Sequence, residues 1–113
     1  MHPLNEQGVH FCENQNSIVG CVDDIIESLE SSGYKDVIIL TAKTQETSVL
    51  NSMVKNEVYK GKVQFSTCRK FKGLEAEAVI LIDIDKELFD NENVLRYYVG
   101  TSRARLKLDI VTT

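Results

Sequence analysis

Residues 64–83, QFSTCRKFKGLEAEAVILID, set two strand-like apolar runs on either side of a basic loop. The run at 78–82, AVILI, is unbroken and of strand length, which is the pattern of a strand buried on both faces. A second run, DVIIL at 36–40, repeats it. Strands of this kind need cover above and below, and the common solution is a mainly parallel sheet with helices on its faces. Open sheets of that class bind ligands beyond the carboxyl ends of their strands. The loop between the two runs carries Arg69, Lys70 and Lys72, then Gly73, Leu74 and Glu75. Its cations suit a phosphate-bearing partner and its carboxylate suits hydroxyls.

The rest of the chain supplies the flanking layers. Residues 1–7 are mostly polar and contain the one proline, Pro3, so they read as a poorly ordered lead-in. A short strand is predicted at 9–12. Ile18, Val19, Val22, Ile25, Ile26 and Leu29 then recur at helical spacing, with Asp23, Asp24, Glu27 and Glu30 on the other face. This predicts an amphipathic helix capped by Asn16 or Ser17 and ended by Gly33. After the strand at 36–40 comes a polar turn, TAKT at 41–44. A second helix is predicted from Gln45, with Thr44 as its cap, Glu46 in its first turn and Val49, Leu50, Met53 and Val54 as its apolar face.

Strands follow at 62–67 and 78–84, then a helix start at 90–93 leading to Val94, Leu95, Tyr98 and Val99. Leu106, Leu108 and Ile110 alternate with Lys107, Asp109 and Val111, which predicts a last strand. The order strand, helix, strand, helix, strand, strand, helix, strand fits an α/β fold with right-handed crossovers.

Composition narrows the function. At 113 residues the chain is one domain, 1–113, with enough length to bury a core. A net charge of -4 argues against nucleic-acid binding through bulk charge, so a local basic loop must carry any such contact. Three cysteines without a CxxC pair suggest neither a disulfide framework nor zinc, and a reducing cytoplasm is the natural reading. There is no signal-peptide pattern and no apolar run near the ~20 residues that span a bilayer, so no membrane partner is expected. Gly61-Lys62 is followed by Val63, and no GxxxxGK[ST] occurs, so a complete P-loop triphosphatase is not encoded.

Two basic groups could carry chemistry: 69–72, and the segment YYVGTSRAR at 97–105. An arginine held rigidly among small residues can be aimed at a transferring phosphoryl group. The same residues also fit a solvated charged turn and a helix C-terminus neutralised by its own arginines. Cys68, Cys12 and Cys21 read as packed thiols, His2 and His10 as isolated, and Asp83 and Asp85 as turn or cap residues.

Thr67 with KGLE at 72–75, the strand AVILID, and YVGTSRARLKL at 98–108 together resemble motifs V and VI of the superfamily I DNA helicases of the UvrD, Rep and PcrA type. The family patterns are T-x-x-x-x-K-G-L-E and Y-V-[AG]-x-[ST]-R-A, and both are met in order. The resemblance covers residues 36–113. It implies the second RecA-like motor domain of such a helicase, which completes an ATP site and grips single-stranded DNA.

On that resemblance Gly73 and Glu75 approach the nucleotide, and Arg103 is both a nucleotide contact and the catalytic arginine at the γ-phosphate. Thr41, Lys43, Thr44, Thr67 and Arg69 fall where the family contacts the DNA backbone. ATP with Mg2+ is held mainly by the first RecA-like motor domain of the same polypeptide, so these 113 residues are not expected to hydrolyse ATP alone. The family often has His at the position of Arg69, and its N-Y-R-S segment is missing here. Two other readings stay open: a degenerate, non-catalytic interaction module, and a small nucleotide-binding α/β protein.

Overall fold

A computed structural model of the chain describes residues 6–12, 15–44, 46–48, 50–61, 63–67, 76–84, 91, 93 and 104–112. The elements are β1 (Glu6–Phe11), α1 (Gln15–Ser31), β2 (Val37–Thr41), a 3-10 turn (Asn51–Met53), β3 (Val54–Lys55), β4 (Val58–Tyr59), β5 (Val63–Thr67), β6 (Ala76–Ile84) and β7 (Ala104–Thr112). They form one seven-stranded sheet in the order β1-β7-β6-β2-β5-β4-β3. The first five strands in that order pair in parallel, and β4 and β3 add to β5 antiparallel. The fold is therefore α/β with a mixed sheet.

The period-2 pattern of the parallel strands divides the core into two. Ile39, Phe65, Ala78, Ile80, Ile82 and Val111 face α1, whose Ile18, Val22, Ile25, Ile26 and Leu29 are buried against them. Each of those five helical side chains contributes about 2 kcal/mol by leaving water. Ile38, Leu40, Val79, Leu81, Leu108 and Ile110 point to the opposite face and are equally buried. The expected double-sided burial of β2 and β6 is thus observed.

Helix α1 ends as its sequence dictates. Gly33 takes φ +90, its N–H reaches the Glu30 carbonyl at 3.1 Å, and the Tyr34 N–H reaches the Leu29 carbonyl at 3.1 Å. These are the paired bonds of a Schellman cap, which needs a residue tolerant of positive φ. At the other end α1 begins at Gln15, so the expected caps Asn16 and Ser17 lie inside its first turn. Glu77 at the start of β6 accepts the backbone N–H groups of Lys35 and Asp36 at 3.0 and 3.2 Å, which fixes the entry to β2.

The structure corrects three expectations. Among the described residues, no second helix starts near residue 45. Thr44 does accept the Thr47 N–H at 3.3 Å, as a cap would, but the turn goes no further than the 3-10 turn and a β-hairpin replaces the helix. Thr47, Ser48, Asn51, Ser52 and Val54 are weak helix formers. Asn56 and Glu57, at φ 54 and 62, make the two-residue turn of opposite twist that closes tight hairpins.

The second correction is to the alternation expected of the last strand, β7. It lies between β1 and β6, so Leu108, Asp109, Ile110, Val111 and Thr112 are all buried instead of alternating. The third is at the start of the chain, where β1 begins at Glu6, inside the stretch expected as a lead-in. The helix predicted over 94–99 lies outside the described residues. No helix among the described residues is long and apolar enough to cross a membrane.

Candidate functional site

Parallel pairing gives the sheet two distinct edges. The carboxyl ends of β2 and β5 meet in register, Thr41 opposite Thr67, and Thr41 also pairs with Ile82 of β6. Of the five residues expected to contact a nucleic-acid backbone, four are described and all four belong to this edge. Thr67 ends β5 and is half-buried, while Lys43 and Thr44 are exposed on the turn that leaves β2. Thr41 is different: it is 0% exposed.

The Thr41 hydroxyl is engaged on both sides. It donates to the Asp83 carboxylate, Oγ1 to Oδ2, at 2.5 Å, and accepts the Lys43 N–H at 3.0 Å. Ser48 donates to the same Asp83 oxygen at 2.6 Å and accepts the Leu50 N–H at 3.3 Å. Asp83 is 8% exposed and sits at φ 63, where β6 departs from regular register with β7 between Leu81 and Ile84. A non-glycine residue at positive φ inside a strand costs about 1 kcal/mol, and a bulge there re-aims the side chain. Sequence reading gave Asp83 a turn or cap role. Its bonding to two residues 42 and 35 positions away left no local pattern to find.

At the amino ends of the strands, Ala76 of β6 and Ala104 of β7 are register partners. Glu75 and Arg103 are the residues bonded to them in sequence. Gly73, Glu75, Arg103 and Arg69 themselves lie outside the described residues. Thr67 ends β5 at one edge and Ala76 begins β6 at the other, because β5 and β6 both run parallel to β2. The segment 68–75 therefore joins opposite edges of the sheet, which a single loop at the carboxyl end of a strand would not do. A strand as long as β2, five residues, separates such edges by about 15 Å.

A separate polar cluster lies between β1, β7 and α1. His10 Nε2 is 2.9 Å from Asp109 Oδ1, and Lys107 Nζ is 4.0 Å from Asp109 Oδ2. Asp109 is 2% exposed and its Oδ2 has no hydrogen-bond partner among the described residues. These groups line a cavity of about 230 Å³ together with Cys21, Asp24 and Ser28. Burial, with a hydrogen bond to Cys12, pushes the Cys21 thiol up to about 11, so it is a neutral thiol at neutral pH and a poor nucleophile.

The hairpin is pinned to α1 by polar contacts of its own. Tyr59 donates its hydroxyl to Asp23 Oδ1 at 2.8 Å, and Lys60 Nζ lies 2.8 Å from Asp23 Oδ2. Burial, with the Asp23 carboxylate beside it, raises the Tyr59 phenol above its ordinary value.

Comparison with known families bears on the parallel half of the sheet. Residues 62–111 match the family model described as the UvrD-like helicase C-terminal domain. That range includes β5, β6 and nearly all of β7, with both segments that join them. Among curated proteins, none matches the chain.

Proposed function

We propose, from the match of residues 62–111 to the UvrD-like helicase C-terminal domain, that the chain acts as the second, RecA-like motor half of an ATP-driven translocase on single-stranded DNA. The reading is supported by the described residues at and beside the expected contacts, which lie on two edges of the sheet. The DNA set, Thr41, Lys43, Thr44 and Thr67, belongs to the carboxyl edge. The strand starts that follow Glu75 and Arg103 are register partners at the amino edge.

On this reading the amino edge faces a nucleotide held mainly by the other motor half, to which ATP and Mg2+ belong. Gly73 and Glu75 meet the nucleotide. Arg103 offsets the charge that develops on the γ-phosphate, since a guanidinium offers a fixed, doubly hydrogen-bonding contact to phosphoryl oxygens. The carboxyl edge meets the DNA backbone through Lys43, Thr44, Thr67 and Arg69. A charged lysine and backbone-directed hydroxyls grip phosphates without reading bases, which is the requirement of a motor that steps along any sequence.

Segment 68–75 gives these two edges a covalent link. A nucleotide-driven movement at Glu75 is delivered to Thr67 along eight residues that join β5 to β6. Coupling of this kind is reciprocal, so DNA binding at Thr67 tightens the nucleotide side by the same factor.

Replacing Arg103 by Ala in the intact protein tests the assignment. The expected result is a loss of DNA-stimulated ATP hydrolysis by about 10³-fold or more, the scale of a missing arginine finger. Unchanged hydrolysis contradicts it.

A further inference from the structure

We propose that Asp83 is a positioning residue for DNA binding: its buried carboxylate latches the turn at 41–44 to the end of β6 and so fixes where Lys43 and Thr44 meet the strand. The proposal rests on the reading of the carboxyl edge as the DNA-contacting one.

Three features of Asp83 belong together. Its backbone takes φ 63. The register of β6 against β7 shifts between Leu81 and Ile84. Its Oδ2 accepts two hydroxyls, from Thr41 at 2.5 Å and Ser48 at 2.6 Å. An unfavourable backbone conformation persists only where the surroundings fix it, and here the strained bulge turns the carboxylate toward those two hydroxyls.

Each hydroxyl has one proton, and both are given to Asp83. Each hydroxyl oxygen then accepts a backbone N–H, Lys43 for Thr41 and Leu50 for Ser48. One carboxylate oxygen thereby ties the beginning and the end of the segment that leaves β2.

Two consequences follow for the DNA edge. Thr41 has no proton to offer a phosphate and is 0% exposed, so it acts through the turn and not by contact. Lys43 gains a backbone N–H that is anchored two bonds from Asp83, so its ammonium leaves the sheet from a fixed point. A pre-set cation loses less freedom on binding than one on a loose turn, and binds more tightly for it.

The test is single-stranded oligonucleotide affinity of the intact protein, measured beside amide exchange at Lys43. Asp83→Gly keeps the positive φ, which glycine adopts freely, and removes the latch. It is expected to speed exchange at the Lys43 amide and to weaken DNA binding by about tenfold, while Asp83→Asn, whose side-chain oxygen can accept both hydroxyls, restores affinity to within about twofold. Thr41→Val combined with Asp83→Gly should weaken binding no further than either alone, because both break one unit.

Should Asp83→Gly fail to fold, Thr41→Val alone serves in its place, since Ser48 still satisfies the carboxylate. If exchange quickens and affinity holds while Lys43→Ala still weakens binding, the latch does not position the lysine and the proposal is overturned. If Lys43→Ala itself leaves affinity unchanged, the carboxyl edge is not the DNA edge, and the proposal falls with that reading.

Discussion

Cys21 and His10 lie on one cavity and behave in opposite ways. The Cys21 thiol, held up to about 11 chiefly by burial, is protonated through the whole neutral range. Its thiolate becomes abundant only as pH rises toward that value. Alkylation at pH 8, followed by mass spectrometry of the peptide that contains it, should be about a hundredfold slower than at an ordinary exposed cysteine. Rapid labelling would show a thiol in a different setting.

His10 instead supplies a hydrogen bond to a carboxylate, that of Asp109, which is 2% exposed. His10→Ala leaves Asp109 buried with one partner fewer, and chemical denaturation should report a loss of about 2 kcal/mol. Neither behaviour was legible in the sequence. His10 and Asp109 are 99 positions apart, and only the pairing of β1 with β7 brings them together.

Among the elements, the hairpin β3–β4 makes the sharpest prediction. Glu57 adopts φ 62 at the second position of its turn, where glycine is favoured after asparagine. Glu57→Gly should raise stability by up to about 1 kcal/mol, read as a higher denaturation midpoint, because the strain is relieved and the backbone bond from Phe65 to the Glu57 carbonyl is kept. The same turn explains where sequence reading failed. Val49, Leu50, Met53 and Val54 have helical spacing, and a four-residue apolar match cannot tell a helix from a turn followed by a short strand. The signal that decides was Asn56, which tolerates positive φ. By contrast α1 was legible through its apolar stripe and Gly33, and β2 and β6 through their unbroken apolar runs. Those features are local, and the packing agrees with them.

At the scale of the molecule, the resemblance gives the two ends of residues 67–75 different ligands, DNA at Thr67 and Arg69 and a nucleotide at Gly73 and Glu75. Strand direction separates the described residues that flank this stretch. Thr67 closes β5 at one edge and Ala76 opens β6 at the other, so a single motif spans the sheet. That separation follows from the parallel pairing of β5 and β6 with β2, which residues 64–83 alone do not state. On the proposed function, the two edges serve different ligands.

Titrating single-stranded DNA into an ATP-hydrolysis assay of the intact protein tests that claim directly, because one curve yields both the maximal rate and the DNA concentration at half-maximum. Arg103→Ala should collapse the maximal rate, and Lys43→Ala should raise the half-maximal DNA concentration by about threefold to tenfold while keeping the rate. If both substitutions move the same parameter, or Arg103→Ala leaves the rate intact, the division of the sheet into a nucleotide edge and a DNA edge is wrong.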